Sequence, residues 1–288
     1  MATAETLARA TSSRLPEGVG IQPRRFEFRE LDQVPQYWFA GNPVLTHTEN
    51  AFSILIPPGE RFFLRSVQRT ADRTSDPELR ELIRAFAQQE ALHTRAHNEF
   101  NASLTRFGVD VAREVRAADR VFEVLGRRLP KKMQLAMTVF LEHLTATGAH
   151  ALFTEPALAE AMHPEMRRFW RWHAAEEIEH KAVAFDLYRE AGGGYVLRVF
   201  SAVATVLLLV LPFVKSVRRM MRDDPKPITD AMHAQAKALN RRVMGPQLRM
   251  IADYFRPGFH PWQCRDEAHL AAWYASREVG PSETSARS

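Results

Sequence analysis

The sequence contains two Glu-x-x-His pairs inside long helical patterns, Glu90 with His93 and Glu177 with His180. Residues three apart on an α-helix leave the same face about one turn from each other. Each pair can therefore offer a carboxylate and an imidazole to one metal ion. A chain that buries two such pairs has to fold so that they share one site or are neutralised separately.

Two isolated glutamates, Glu60 and Glu142, each lie in the helical segment upstream of one pair. The midpoint between Glu60 and Glu90 is position 75, in a segment predicted to turn. The midpoint between Glu142 and Glu177 is position 159.5, in a second predicted turn. Residues equidistant from the turn of two antiparallel helices face each other at the same level, so all four glutamates can meet in one layer.

One Glu on each of two helices and Glu-x-x-His on each of two others is the pattern of di-iron and di-manganese carboxylate proteins. Four carboxylates also cancel the charge of two divalent cations, which makes a buried site tolerable. The predicted catalytic metal ligands are Glu60, Glu90, His93, Glu142, Glu177 and His180. Predicted supporting residues are His97, His173, Glu176 and Asp186. Glu176 competes with Glu177 for the ligand role, because Glu176 and His180 are four apart.

The predicted fold class is all-α, a ferritin-like four-helix bundle with a crossover helix and additional C-terminal helices. The predicted organisation is a flexible lead-in over 1–25, the di-metal bundle over 26–195, an apolar helix with a basic flank over 196–222, a helical extension over 223–280 and a disordered tail over 281–288. The lead-in is predicted from its small, polar, Gly and Pro residues.

Residues 199–214 form a run of sixteen without a charge, followed by Lys215, Arg218, Arg219 and Arg222. A membrane span needs about 20 apolar residues, whereas about 10 to 14 suggest a buried helix. Three placements stay open: a buried or dimer-forming helix, a helix docked on a membrane surface, and a true span. Each of them implies a hydrophobic neighbour.

The chain carries a net charge of +5 and a single cysteine, Cys264. Its basic residues alternate with Glu and Asp, which is typical of solvated helix faces, so no nucleic-acid partner is expected. One cysteine excludes an internal disulfide and suits a reducing compartment. The N-terminus lacks the apolar core of a secretory signal, so a cytoplasmic location is predicted, with membrane association if residues 199–222 dock.

Four motifs carry a resemblance to a known family. Pro-Pro-Gly-Glu-Arg-Phe-Phe at 57–63, Gln-Glu-Ala-Leu-His at 89–93, Leu-Glu-His-Leu-Thr-Ala at 141–146 and Trp-His-Ala-Ala-Glu-Glu-Ile-Glu-His-Lys at 172–181 resemble the bacterial predicted metal-dependent hydrolases. The motifs are also similar to those of ferritin-like di-iron proteins. The resemblance covers roughly residues 25–265 and implies a metal site.

The donor set favours an oxidase or oxygenase in which two iron ions and O2 act on a hydrophobic organic substrate. Manganese or a mixed iron–manganese pair is the alternative to iron. The alternative function is a metal-dependent hydrolase, with zinc, in which a metal-bridged hydroxide attacks an ester or phosphate. Iron storage is disfavoured, because a storage shell needs neither the apolar helix nor the C-terminal extension. A homodimer and a membrane surface stay open as partners.

Overall fold

The computed structural model describes residues 12–276, and within that range it is helical and has no strand, as the all-α prediction requires. Residues 1–11 and 277–288, and with them the predicted tail, lie outside the described residues. The helices are α1 (Pro43–Gln68), α2 (Pro77–Ser103), α3 (Val111–Arg128), α4 (Lys131–Thr154), α5 (Pro156–Glu160), α6 (Pro164–His180), α7 (Val183–Glu190), α8 (Tyr195–Asp223), α9 (Asp230–Asp253) and α10 (Glu267–Ser276).

Four of these helices enclose the centre of the molecule. Helix α1 packs on α2, α4 packs on α6, and α1 and α2 close the arrangement against α4 and α6. Helices α1 and α2 are antiparallel, since Ser53 lies beside Asn101 while Glu60 lies beside Thr94. Both pairs are centred on position 77, two residues beyond the midpoint at position 75, so Glu60 lies level with Thr94, about one helical turn from Glu90.

Helix caps determine where the first two helices begin. The Asn42 side chain accepts hydrogen bonds from the backbone N–H groups of Val44 and Leu45, with Pro43 as the first residue of α1. The Asp76 side chain accepts from the Glu78 N–H, with Pro77 as the first residue of α2. Such caps satisfy N–H groups that have no partner inside the helix, and they set the depth at which Glu60 and Glu90 enter the interior.

Helix α1 continues through Pro57 and Pro58. Proline removes an N–H donor and leaves a carbonyl one turn earlier without its helical partner. The carbonyl four residues before Pro57 belongs to Ser53, and the Asn101 side-chain amide of α2 donates to it at 3.1 Å. A side chain from the neighbouring helix thus replaces the missing bond, and the helix carries Glu60 without a break.

Residues 12–25 differ from the flexible lead-in expected for the start of the chain. Ile21 is fully buried, and Leu15 and Val19 pack into the same core. The backbone N–H of Gln22 donates to Glu179 at 3.0 Å, and the N–H of Arg24 donates to Glu176 at 2.9 Å. This segment consists of turns and irregular structure without a helical period, so the sequence carried no helical signal of its burial.

Helices α8 and α9 both lie on the outer side of α1 and α4. The start of α8 meets the end of α9, where Tyr195 donates to the Phe255 carbonyl at 2.8 Å and Arg198 donates to the Arg256 carbonyl at 2.7 Å. Within the described residues, α8 is the one helix long and apolar enough to cross a membrane, judged by length and composition.

Candidate metal centre

Six side chains meet in the interior between four helices: Glu60 of α1, Glu90 and His93 of α2, Glu142 of α4, and Glu177 and His180 of α6. Each is at most 4% exposed, so water does not solvate their charges. The Nε2 atom of His180 lies 3.3 Å from Glu90 Oε1 and 3.3 Å from Glu142 Oε2. The structure brings together all the residues predicted as ligands, and their ligand role stays a prediction.

The donor atoms divide into two groups, and within each group they lie within 4.8 Å of one another: Glu60, His93 and His173 in the first, and Glu90, Glu177 and His180 in the second. Glu177 faces both groups. Its Oε1 atom lies 3.1 Å from His173 Nε2 and 3.6 Å from His93 Nδ1. Its Oε2 atom lies 3.6 Å from His180 Nε2. Glu177 thus lies between the two groups, and His173, which was predicted as a supporting residue, has an atom in the first group.

The second ring nitrogen of each histidine in the two groups faces a polar side chain outside the groups. The three contacts are His93 Nε2 with Glu176 Oε2 at 3.1 Å, His180 Nδ1 with Gln89 Oε1 at 2.9 Å, and His173 Nδ1 with His97 Nε2 at 3.0 Å. Metal-binding histidines in proteins are oriented by such contacts. His97 is held in turn by Ser53 Oγ at 2.8 Å. Glu176 and His97 therefore lie where supporting residues are expected.

Arg24 is a residue of the site that the sequence interpretation missed. It pairs with Glu176 at 3.4 Å and with Glu179 at 2.8 Å, and all three side chains are buried. Burial alone would lower the pKa of Arg24, but the two carboxylates raise it overall. Glu176 and Glu177 were both predicted as possible ligands. Arg24 pairs with Glu176, and Glu177 is the one of these two glutamates that faces both donor groups.

Asp186 is not brought to the cluster. Its Oδ1 atom lies 3.1 Å from His260 Nε2, and Arg14 approaches at 3.8 Å. Helix α6 ends at His180 and α7 begins at Val183, so the helical face that predicted a supporting role for Asp186 does not continue to it.

Burial dominates the electrostatics of the carboxylates. It raises the pKa of Glu60 and of Glu90 well above the usual range and that of Glu142 to about 7. Burial would also raise the pKa of Glu177, but His180 and His173 outweigh it and lower that pKa well below the usual range. The metal-free cluster therefore retains carboxyl protons that divalent cations would displace.

Many atoms of the cluster have no hydrogen-bond partner within residues 12–276. They include both carboxylate oxygens of Glu90 and of Glu142, one carboxylate oxygen each of Glu60 and Glu177, and one ring nitrogen each of His173 and His180. Buried polar atoms are normally paired, and leaving one unpaired costs about 1–3 kcal/mol. Carboxylate oxygens and imidazole nitrogens that converge in this way fit divalent cations.

A third group of potential donors, His150, Asp266 and His269, differs in character. The Asp266 carboxylate is already paired with Lys181 Nζ at 2.6 Å and with His150 Nδ1 at 2.6 Å. These contacts provide the Asp266 carboxylate with partners of opposite charge. The three residues therefore form an ion-pair network that holds the C-terminal segment to α4 and to the end of α6.

A cavity of about 360 Å³ reaches His173 and Glu177 from the surface. Its walls are mostly apolar, with Phe52 and Leu144 among them, and α9 contributes Asn240 and Gln247 near its mouth. A second cavity of about 240 Å³ shares Phe52, Leu144 and Thr145 with the first and is otherwise lined almost wholly by apolar side chains. Organic molecules thus have an apolar approach to the cluster.

A buried carboxylate–imidazole cluster inside a helical fold, as residues 12–276 show it, is typical of the class of helical proteins that carry a metal site. A family model described as predicted metal-dependent hydrolase matches residues 22–265. The match covers most of the chain, which therefore belongs to this family. No curated protein and no solved structure matches it.

The family description corrects the function favoured from the sequence. The oxidase interpretation is wrong, because the family is one of metal-dependent hydrolases, and the alternative interpretation agrees with it. The error has a physical cause: glutamate and histidine bind zinc, manganese and iron alike, so the donor set does not encode the reaction. Metal dependence is supported, whereas the identity of the metal stays a prediction.

Proposed function

We propose that the protein is a hydrolase whose buried cluster holds two divalent cations and that it cleaves an ester or phosphate ester of a hydrophobic compound. The set of buried, convergent donor atoms without protein partners carries the proposal, in a chain of a metal-dependent hydrolase family. The distribution of Glu and Glu-x-x-His over α1, α2, α4 and α6 further supports assigning these helices to a ferritin-like arrangement.

The two donor groups indicate which residues would hold the cations. Glu60, His93 and His173 would hold one, and Glu90, His180 and Glu142 the other, with Glu177 between them. When bound, the cations would lower the pKa of water enough to supply hydroxide at neutral pH, and they would polarise the ester oxygen. Zinc suits this role because it accepts oxygen and nitrogen donors and has no redox chemistry.

Glu49 supplies a proton in this proposal. It lines the same cavity as His173 and Glu177, and burial raises the pKa of Glu49 to about 7. A carboxyl group with this pKa is partly protonated at neutral pH and can donate to a leaving group. As the bond between the acyl carbon and the leaving oxygen breaks, that oxygen takes the proton from Glu49. The apolar cavity walls bind the organic part of the substrate and exclude bulk water.

The experiment that tests the proposal is hydrolysis of 4-nitrophenyl esters and phosphates under anaerobic conditions. We expect turnover to require metal, to stop with a chelator and to return with Zn²⁺. The Glu90→Gln variant should lose activity by about 100-fold or more, given that even residues that only support metal ligands contribute about 10- to 100-fold. Glu99→Gln, a matched change on the exposed face of the same helix, should have no effect.

Full activity after complete removal of metal would overturn the proposal, as would a strict requirement for O2. The anaerobic assay distinguishes these outcomes, because hydrolysis consumes only water.

A further inference from the structure

Over its first three turns, helix α8 buries polar side chains, while large apolar side chains of the helix are exposed. Arg198, Ser201 and Thr205 are buried against the body of the protein. The opposite face presents Phe200, which is 59% exposed, and Leu207, which is 73% exposed. Surface helices of soluble proteins show the reverse arrangement. The outward face of α8 therefore needs a hydrophobic partner.

The exposed large hydrophobic residues of the described chain are concentrated in three helices. They are Val124 of α3, Tyr195, Val196, Phe200, Val203, Val206, Leu207, Leu208, Val210 and Leu211 of α8, and Met244 and Leu248 of α9. Helix α3 packs on α8, and α8 and α9 share the support of α1 and α4. Nine of these twelve residues belong to α8, and an exposed apolar helix face of this extent marks a binding surface.

The same face of α8 becomes basic toward its C-terminus. Counting by helical period, Val203, Leu207 and Leu211 are followed by Lys215, Arg218 and Arg222, and these three cations are exposed. An apolar stripe that continues into a cationic one matches a bilayer whose acyl chains lie beside anionic headgroups. The net charge of +5 opposes the association of two copies through this face and favours a negatively charged surface.

The packing of α8 also indicates that this helix would dock on a membrane surface and would not span the membrane. One side of the helix contacts α1 and α4 along its length and buries Arg198 and Ser201 there. Arg198 donates to the carbonyls of Tyr254 and Arg256 of the protein body. A helix bound to the protein on one side cannot be surrounded by lipid, so α8 would lie along a membrane surface.

The apolar cavity described above opens beside this face. Val206 and Val210 of α8 are half-exposed and also line its wall. Through Phe52, Leu144 and Thr145 this cavity adjoins the one that reaches His173 and Glu177. The two cavities therefore lie side by side between the outward face of α8 and the cluster, with these three residues in the wall that they share.

We infer that the outward face of α8 docks on an anionic lipid bilayer and that the adjoining cavity takes the acyl chain of a lipid ester. The ester group would then lie in the neighbouring cavity, beside the metal centre. The docking part stands by itself, whereas the substrate class rests on the proposed hydrolase function.

Vesicle flotation tests the docking. The protein should float with phosphatidylcholine vesicles that contain phosphatidylglycerol, and salt should weaken this binding. The double variant Leu207→Asp/Leu211→Asp should bind about tenfold less or weaker still, because each leucine loses its burial in lipid. The control Gln88→Asp/Ala91→Asp adds the same charge at exposed positions of α2 and should bind like the wild type. Circular dichroism checks that both variants are folded.

Three results would overturn the docking: no binding of the wild type to anionic vesicles, equal loss in the α2 control, or recovery from cells only with detergent as an integral protein. A wild-type dimer that ignores vesicles and dissociates in the α8 variant would assign the face to a second copy of the chain instead.

Acyl-chain preference tests the substrate class. Val206→Trp should fill the apolar cavity and lower turnover of a detergent-solubilised long-chain ester about tenfold relative to an acetyl ester, since each excluded methylene forfeits its burial. Val203→Trp lies on the same face of α8 outside the cavity wall and should leave this ratio unchanged. An unchanged ratio in Val206→Trp would overturn the acyl site. Failure of the wild type to hydrolyse any ester would overturn the proposed function, while the flotation result would still decide the docking.

Discussion

Glu49 carries a carboxyl group whose pKa is shifted by burial alone, in the wall of the cavity that reaches Glu177 and His173. Burial raises the pKa of Glu49 to about 7, above its ordinary value. The folded state then holds a proton that the unfolded state releases between about pH 4.5 and 7. Folding stability from this group is present below that interval and is lost as the pH rises through 7.

The Glu49→Gln variant should remove this loss. We expect its free energy of unfolding to be close to that of the wild type near pH 5 and to exceed it by about 2–3 kcal/mol more near pH 8, since each unit of pKa shift corresponds to about 1.4 kcal/mol. Urea unfolding at the two pH values measures the difference. The same variant should lose hydrolytic turnover above and below neutrality alike. Equal stability differences at both pH values would contradict the assigned pKa.

His173 and His97 are expected to differ in role at the proposed metal site, His173 as a ligand and His97 as a supporting residue. It shares the first donor group with Glu60 and His93, whereas His97 contacts only the other nitrogen of its ring. His173→Ala should therefore lower the metal content by about half, and His97→Ala should retain both ions with about 10- to 100-fold weaker binding. Mass-spectrometric metal analysis after dialysis against buffers of fixed free Zn²⁺ resolves the two effects. Full metal content in His173→Ala at low free zinc would remove His173 from the ligand set.

The residue pattern of α6 already contained the signal for His173. His173, Glu177 and His180 are separated by four and three residues, which places all three on one helical face. The Glu-x-x-His pattern includes only the last two. Arg24, by contrast, left no signal, because its partners Glu176 and Glu179 are about 150 residues away in sequence and the segment that carries it is not periodic.

At the scale of elements, the segment 12–25 acts as a tether across α6. Arg24 neutralises Glu176 and Glu179, and its guanidinium lies 5.2 Å from the centre of the Trp273 ring of α10. Breaking a buried ion pair by removing one partner leaves an uncompensated charge in the interior. The segment thus connects α6 to α10 beside the carboxylate–imidazole cluster.

Arg24→Met should consequently lower the free energy of unfolding by about 3–5 kcal/mol. The neighbouring Arg25→Met is the control, because Arg25 is 51% exposed and pairs only with the exposed Glu27 among the described residues. Chemical unfolding of the three proteins measures the loss. Adding Glu176→Gln and Glu179→Gln to Arg24→Met should recover part of it, since no buried charge is then left alone. A loss as large in Arg25→Met would show that the effect is not one of burial.

The four central helices were more predictable from sequence than the surrounding ones. Caps at Asn42 and Asp76 and the period of the apolar residues determine α1 and α2, and those signals are local. The continuation of α1 through Pro57 depends on Asn101 of another helix, which no local pattern contains. The side of α8 that faces the protein was equally undetermined, because apolar residues alone do not reveal which surface covers them.

At the scale of the whole molecule, the family match and the sequence motifs agree on metal dependence, while the reaction could not be read from the ligands. Four helices direct carboxylates into one interior volume, so bound metal ions would contribute to the stability of the fold. Without cations these groups are either protonated or charged without sufficient compensation. Metal ions that bind only the folded chain stabilise it by mass action.

Removal of metal should lower the free energy of unfolding by about 4 kcal/mol relative to protein in free metal at a thousand times its dissociation constant. The loss should grow as the pH rises above the ordinary pKa range of a glutamate. Burial raises the pKa of Glu60 and of Glu90 above the unfolded values, so their protons stabilise the apo fold at low pH and this stabilisation is lost at high pH. Burial also lowers the pKa of His93. This shift affects the free energy of unfolding only below about pH 6.5, the ordinary pKa of histidine, and so does not change the pH dependence above it. Urea unfolding with and without a chelator across this pH range measures the effect. A protein purified without bound metal, whose stability neither zinc nor chelator changes, would contradict a metal centre at this position.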